Sequence, residues 1–204
     1  MHALIVVSHP INTSLTHGSA DAIARGIAEV NPDNTSEIVD LTQEGFNPVF
    51  SAADMAAFQL TGAIPPDVAA EQARIDSADA LVLVFPVYWW SMPGIMKGWI
   101  DRVFSNGWAY EETADGNVVK KLGRLPVHLV ALGAAGQRTY EKHGFSDAFN
   151  AQIAHGIFDY CGARVVTSEM LLMPELGTPE ACLEAAFEIG RGIFTSENGG
   201  TESL

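Results

Sequence analysis

The chain has few cysteines, few basic side chains and no long hydrophobic run. Cys161 and Cys182 are its two cysteines among 204 residues, and neither stands in a CxxC or cysteine–histidine pattern. We therefore expect neither a disulfide framework nor a zinc site. The expected state of the two cysteines is that of reduced thiols in a cytoplasmic protein. No stretch approaches 18 apolar residues and no basic start precedes the first apolar run, so neither a membrane span nor a signal peptide is expected.

The low content of lysine and arginine also excludes some partners. Acidic residues number 25 and basic residues 11, which gives a formal net charge of −14. Nucleic acids and anionic membrane surfaces select basic proteins, so neither is an expected partner. A phosphorylated ligand would have to be held by backbone N–H groups, hydroxyls and a few well-placed cations.

What the chain does have is a regular alternation of short apolar runs and helical patterns. The runs that predict strands, most of them buried on both faces, are 3–8, 35–41, 80–87, 125–133 and 163–171. Helices are predicted at about 15–30, 52–59, 67–77, 146–160 and 178–195, with one more beginning at Pro93. Loops are predicted at 111–120 and 134–145. The alternation predicts an α/β fold, with a doubly wound, five-stranded parallel sheet in the flavodoxin-like order 2-1-3-4-5 and helices on both faces. We expect a single domain over 1–195 and a disordered tail over 196–204.

The predicted fold selects the loops in which a ligand should bind. In an open doubly wound sheet, ligands lie beyond the carboxyl ends of the strands, where the strand order reverses. The loops at 8–16, 86–92 and 133–143 meet this condition. The first contains His9 and several hydroxyls before a helix start, which can form an anion site, or Thr13 or Ser14 simply caps the helix. Neither GxGxxG nor GxxxxGK[ST] occurs, so a Rossmann dinucleotide site and a nucleoside triphosphatase are not supported.

The other two loops describe a flat ligand. The motif PVYWW at 86–90 places three aromatic residues directly after the most hydrophobic strand. The third loop has Gly133, Ala134 and Ala135, which let the backbone approach a ligand, and then Tyr140 and His143, which can donate or relay a proton. An anionic group at the first loop and a flat ring between the other two fit a flavin nucleotide. Packing of Tyr88 or Trp90 into the protein is the alternative.

Residues 71–110 carry a long and specific motif. The pattern FP-x-x-W-[WF]-x-x-P-x-x-x-K-x-W-[IF]-[DE]-R-V-F, followed by GWAY, strongly resembles the flavodoxin-like NAD(P)H:quinone oxidoreductases, which include DT-diaphorase and bacterial relatives. The segments ALIVVSHPINTSLT, DLTQEGFNPVFS and GIFDYCGARVV extend the resemblance over roughly residues 3–175. The resemblance implies a homodimer that binds FAD (or FMN), takes a hydride from NADH or NADPH, and reduces quinones by two electrons in a ping-pong cycle.

The resemblance also implies roles for individual residues. Those expected to contact the flavin are His9, Ser14, Leu15, Thr16, Gln59, Pro86, Val87, Tyr88, Trp89, Trp90, Gly133, Ala134 and Ala135. Tyr140 matches the family's active-site tyrosine and His143 its histidine partner. Trp108 and Tyr110 match residues that line the substrate side from the neighbouring subunit. No metal site is expected.

The chain departs from the family pattern at three places. Tyr88 stands where glutamine is common, the third loop lacks the family's threonines, and the Tyr140-to-His143 spacing is shorter. Two other functions stay open at this point. One is a flavin-binding ancillary subunit of a glutathione-gated potassium efflux system. The other is a one-electron carrier of the flavodoxin type, which would not need the aromatic loop or Tyr140.

Overall fold

The computed structural model describes residues 1–113 and 115–195, so the predicted tail at 196–204 lies outside the described residues. The strands are β1 (His2–Val7), β2 (Thr35–Asp40), β3 (Ala80–Pro86), β4 (Tyr110–Glu112), β5 (Val118–Lys120), β6 (Val127–Gly133) and β7 (Val165–Leu172). Five of them form a parallel sheet in the order β2-β1-β3-β6-β7. When the strands of this sheet alone are counted, the order is 2-1-3-4-5, and the predicted fold class is confirmed.

Helices cover both faces of the sheet. They are α1 (Leu15–Val30), α2 (Ala52–Phe58), α3 (Pro66–Asp76), α4 (Gly94–Val103), α5 (Gln137–His143), α6 (Phe145–Phe149), α7 (Met173–Leu176) and α8 (Pro179–Gly192). A π-helical segment, Asn150–Asp159, continues α6 towards β7. No helix among the described residues is long and apolar enough to span a bilayer.

The sheet has a separate hydrophobic core on each face because successive strand residues point to opposite sides. Leu4 and Val6 face one cluster, which includes Trp99 of α4 and Phe158 of the π-helical segment. Ile5 and Val7 belong to the other cluster, with residues of α1 and α8. Burying each such side chain contributes about 1.5–3 kcal/mol, so the central strands are held firmly from both sides.

The two helices on the second face touch backbone to backbone. A Cβ atom at Gly26 would lie 2.2 Å from the Phe187 carbonyl oxygen, and one at Gly190 would lie 2.2 Å from the Ile23 carbonyl oxygen. Only glycine permits this approach of α1 to α8. The contact fixes the position of α1, whose first turn begins at the predicted anion loop.

Two predicted loops are wrong in part. Residues 137–143 form α5, although only Tyr140 of this short helix is buried, so no apolar periodicity marks it. Residues 110–120 contain an antiparallel hairpin of β4 and β5, whose residues are exposed except Tyr110. Both elements depend on contacts distant in the chain. For example, the Glu175 Oε1 atom accepts the Gln137 N–H at 2.7 Å and so satisfies a donor at the start of α5.

Candidate functional site

The carboxyl ends of β1, β3 and β6 meet at one edge of the sheet, where the strand order reverses. Val7 at the end of β1 lies opposite Asp40 of β2 and Val84 of β3. The Val87 N–H donates to the Leu132 carbonyl at 2.8 Å, which joins the start of the second loop to the end of β6. The three predicted loops therefore share this edge.

The first loop leads into the amino end of α1. Ser14 is the N-cap of this 16-residue helix, and its hydroxyl accepts the His17 N–H at 3.3 Å. The capping alternative is therefore correct for Ser14. The Ser8 side chain is fully buried, and its Oγ atom has no hydrogen-bond partner among the described residues. Free N–H groups of a helix start, together with an unpaired hydroxyl in the loop that leads to it, suit an anionic ligand.

A hydrogen-bonded chain of side chains lies at the same helix start. The His17 Nε2 and Asp40 Oδ2 atoms are 2.6 Å apart, and the His17 Nδ1 and Ser14 Oγ atoms are 2.9 Å apart. The His9 ring meets the His17 ring edge-on, with centroids 6.3 Å apart, while the His9 Nδ1 atom is 3.1 Å from the Ile11 amide nitrogen. Sequence reasoning missed His17 and Asp40. The available signal was Asp40 at the end of β2, next to the helix that follows β1.

The second loop is a tight turn with an unusual backbone. The Tyr88 and Ser91 backbones exchange hydrogen bonds of 2.9 and 3.1 Å, and the two residues between them, Trp89 and Trp90, have φ angles of +49° and +65°. This left-handed conformation costs a non-glycine residue roughly 1–2 kcal/mol. Neither the Trp89 nor the Trp90 backbone N–H has a hydrogen-bond partner in the described part of the chain. A strained turn thus holds two unused backbone donors at the sheet edge.

The two tryptophan side chains of this turn differ sharply. The Trp89 side chain is 92% exposed. The Trp90 ring stacks on Phe145 with centroids 3.9 Å apart and meets Tyr140 edge-on at 5.5 Å. Packing against the chain therefore holds for Trp90, and Tyr88 stays 44% exposed.

The third loop completes a cleft with the second. A cavity of about 190 Å³ is lined by Val87, Trp89, Trp90, Ala134, Ala135 and Tyr140. A Cβ atom at Gly133 would lie 2.8 Å from the Tyr140 hydroxyl, so this glycine makes room for the phenol. Burial raises the pKa of Tyr140, which keeps the phenol protonated and able to donate at neutral pH.

The chain is similar in sequence and in fold to known proteins. Residues 1–186 match the sequence pattern of a protein family that is described as having a flavodoxin-like fold. A Haemophilus influenzae protein described as an uncharacterized NAD(P)H oxidoreductase is 32% identical over 172 residues, 83% of each chain. This chain belongs to the flavodoxin-like NAD(P)H:quinone oxidoreductase family.

Two further relatives carry quinone in their names. Rattus norvegicus NAD(P)H dehydrogenase (quinone) 1 is 27% identical over 188 residues, covering 83% of this chain and 68% of that one. The solved structure of an NAD(P)H:quinone oxidoreductase from Methanothermobacter marburgensis superposes with a TM-score of 0.85 at 25% identity. That match covers 94% of this chain and 98% of the other.

Some residues predicted from the family lie away from the cleft of their own chain. Gln59 is an exposed residue that ends α2. The Trp108 Nε1–H donates to the Asp76 Oδ2 atom at 3.1 Å, at the end of α3. Tyr110 is buried, with its ring 5.2 Å from the Tyr160 ring. None of these three lines the cleft described above.

His143 and Phe145 stack outside the cleft, next to Trp90. The His143 side chain is exposed at the last turn of α5, and its ring centroid is 5.5 Å from that of Phe145. Phe145 therefore stacks on both His143 and Trp90. Sequence reasoning missed Phe145 because it took this stretch as a loop leading into a helix. His143 itself does not line the cleft.

A larger apolar groove lies apart from the cleft. It has a volume of about 380 Å³ and is lined by residues in or next to α2, α4, β4 and the π-helical segment, among them Phe50, Met55, Phe58, Ile100, Phe104, Tyr110, Ile157 and Tyr160. Val49 and Leu60, close along the chain to this groove, are 65% and 61% exposed. Together these residues are called the apolar groove below.

Proposed function

We propose that this chain is a flavin-dependent NAD(P)H:quinone oxidoreductase that transfers a hydride from NAD(P)H to a quinone in two half-reactions. The observation that carries the proposal is the pair of unused N–H donors on the strained Trp89–Trp90 turn. They stand beside a buried tyrosine at the switch point of a flavodoxin-like sheet. A flavin bound there would supply the chemistry of accepting a hydride from one substrate and donating it to the next.

The residues present fit such a cofactor at both ends. The buried, unpaired Ser8 hydroxyl and the amino end of α1 favour an anionic group, and His9, Ser14, Leu15 and Thr16 would surround it. The ring would be held by Pro86, Val87, Tyr88, Trp89 and Trp90 on one side and by Gly133, Ala134 and Ala135 on the other. We propose FAD in preference to FMN, with Gln59 towards the distal half of the molecule.

Tyr140 is the residue to which we assign proton donation. Negative charge develops on the acceptor oxygen or on the reduced ring, and a buried neutral phenol stabilises it by a hydrogen bond or a proton. The raised pKa keeps Tyr140 in its donor form. His143, exposed one ring further out beyond Phe145, is assigned the relay of protons from solvent.

The same cleft would serve both substrates in turn. NAD(P)H binds and leaves, and a quinone then takes its place, so the reaction follows a ping-pong course. Holding each reactant flat in one slot aligns the reacting atoms and accounts for a large part of the rate. The exposed Trp89 side chain would supply apolar surface at the mouth of this slot.

A second copy of the chain is proposed to cover the apolar groove. Exposed apolar side chains such as Val49, Phe50 and Leu60 lie in or close to it, and a contiguous apolar surface of this kind marks an association site. In the resulting homodimer, Trp108 and Tyr110 would approach the cleft of the other subunit. Charge substitution in the groove, as in Leu60→Glu, should yield monomers in analytical ultracentrifugation, whereas Val30→Glu on α1 should leave dimers intact.

The function is tested by the identity of the cofactor together with turnover. Heating the purified protein should release FAD for chromatography, and the intact holoprotein should oxidise NADH or NADPH steadily with free quinones. Anaerobic reduction by NAD(P)H without quinone should be complete, as ping-pong kinetics require. A flavin-containing protein that does not turn over with quinones would support the ancillary-subunit alternative. A protein that stops at a stable one-electron-reduced flavin would support the carrier.

A further inference from the structure

The Ser14–His17–Asp40 hydrogen-bonded chain joins the start of α1 to the end of β2. The His17 and Asp40 side chains are each only 14% exposed, and their Nε2 and Oδ2 atoms are 2.6 Å apart. On its other side the His17 Nδ1 atom is 2.9 Å from the Ser14 Oγ atom. None of the proposed redox chemistry needs this arrangement.

The Asp40 carboxylate fixes the position of one proton on the His17 ring. A carboxylate only accepts hydrogen bonds. The Asp40 Oδ1 atom accepts the Thr42 and Gln43 N–H groups at 3.0 and 3.2 Å, and its Oδ2 atom faces His17. The His17 Nε2 atom therefore carries a hydrogen in both the neutral and the cationic ring. Only the protonation of the His17 Nδ1 atom can vary.

The two forms of His17 leave Ser14 in different states. If the ring is neutral, its bare Nδ1 atom accepts the Ser14 O–H, and the single hydroxyl proton is used within the protein. If the ring is cationic, Nδ1–H donates to the Ser14 oxygen, which also accepts the His17 N–H. The Ser14 O–H is then free to donate to a ligand.

The surroundings of His17 make the two forms responsive to an anion. The His17 ring lies in the first turn of α1, where backbone N–H groups face the loop, and it contacts the Asp40 carboxylate. The His9 ring also meets the His17 ring edge-on, and the next acid along α1 is the exposed Asp21. A bound anionic group at the helix start would tip the balance towards the cation.

We propose that His17 takes up a proton when the phosphate end of a flavin nucleotide binds, which frees the Ser14 hydroxyl to donate to that phosphate. The inference rests on the proposed function, because it needs a phosphorylated ligand at this loop. It explains how a chain with a net charge of −14 holds an anion with few cations nearby: the compensating charge is acquired on binding. Histidine is the side chain suited to this role, since it ordinarily titrates close to neutral pH.

The test is calorimetry of FAD binding to flavin-free full-length protein near pH 7, in two buffers of different protonation enthalpy. The wild type should take up close to one proton per FAD, and its affinity should fall by up to about tenfold per pH unit on the alkaline side. His17→Gln should abolish the uptake and weaken FAD binding about tenfold. Riboflavin, which lacks the phosphate, should bind the wild type without proton uptake.

A matched control is available in a second histidine–aspartate pair. His155 and Asp159 are 3.0 Å apart on the exposed side of the π-helical segment, with side chains 77% and 56% exposed. His155→Gln should retain the full proton uptake. Circular dichroism and thermal unfolding of each variant confirm that it is folded.

The outcomes separate the inference from the proposed function. Absence of FAD and riboflavin binding by the folded wild type would overturn the proposed function. Binding of FAD without proton uptake, or unchanged uptake in His17→Gln, would overturn this inference and leave the flavin site standing. Equal proton uptake with riboflavin and FAD would also overturn it, because the phosphate would then have no part.

Discussion

The two edges of the parallel sheet are built differently. At the amino edge, polar groups are paired: the His2 N–H donates to Asp79, and the Arg124 guanidinium donates to the Ala78 carbonyl and the Asp76 carboxylate. At the carboxyl edge, the Trp89 and Trp90 N–H groups and the Ser8 hydroxyl stay unpaired among the described residues. A buried unpaired group such as the Ser8 hydroxyl is costly in a fold, and the two tryptophan N–H groups stay available beside it in the loops, so this is the edge proposed to bind a ligand.

The largest expected effect is at Tyr140, on the carboxyl edge. Tyr140→Phe removes the proposed donor while keeping the ring that packs against Trp90, so quinone reduction should fall about a hundredfold with flavin content unchanged. Stopped-flow measurement of the two half-reactions would locate the loss. Tyr160→Phe serves as the control, because Tyr160 lines the apolar groove and does not line the cleft. Full activity in Tyr140→Phe would remove the proton-donor role.

The His128 side chain is a buried polar group near the amino edge that is only partly paired. The second-largest expected effect is on stability at this residue. This residue near the start of β6 is buried with its Nε2 atom unpaired, and burial, together with the charge of Arg164, lowers its pKa to about 4. As the pH falls, His128 therefore takes up its proton at a lower pH in the folded chain than in the unfolded chain, where a histidine titrates near pH 6.5. The free energy of unfolding therefore keeps its full value above about pH 6.5 and decreases as the pH falls towards 4. Between pH 7 and 5 the loss should be about 2 kcal/mol.

Urea unfolding at the two pH values measures this loss. His128→Gln should show a much smaller loss, and His155→Gln should behave like the wild type. An equal loss in His128→Gln and the wild type would place the acid sensitivity elsewhere. The amino edge would then have no weak point at His128.

A smaller effect separates two neighbours on the strained turn. Asparagine tolerates the left-handed conformation better than tryptophan does, and Trp89 buries little, so Trp89→Asn should raise the free energy of unfolding by about 0.5–1 kcal/mol. Trp90→Asn should lower it, because the stacking on Phe145 is lost. Thermal unfolding of the flavin-free forms measures both. Destabilisation by Trp89→Asn would mean that the turn is not strained.

The smallest effect is expected at His143. Its ring is exposed beyond Phe145, where solvent can replace it in proton relay, so His143→Gln should lower quinone turnover by roughly threefold or less. Steady-state rates measured across neutral pH would show it. A loss as large as that of Tyr140→Phe would mean that His143 enters the cleft during turnover.

The sequence predicts the strands of the sheet better than it predicts the contacts made across its carboxyl edge. The three central strands of the sheet, β1, β3 and β6, are continuous buried apolar runs, so the sheet and the three loops at its carboxyl edge are predictable from pattern alone. Contacts across the edge do not, because Asp40 meets His17 from 23 residues away, and Phe145 reaches Trp90 from an unmarked helix start. Short elements such as α5 and the β4–β5 hairpin bury too little to leave a periodic signal.

The central claim is that the open carboxyl edge holds a flavin nucleotide. Its most direct test is titration of the flavin-free protein with FAD, followed by the absorbance change of the flavin and the quenching of tryptophan fluorescence. We expect saturable binding of one FAD per chain, with a shifted flavin spectrum and a quenching of tryptophan emission that Trp89→Ala reduces. A folded wild-type protein that leaves the spectrum of FAD and of FMN unchanged would contradict it.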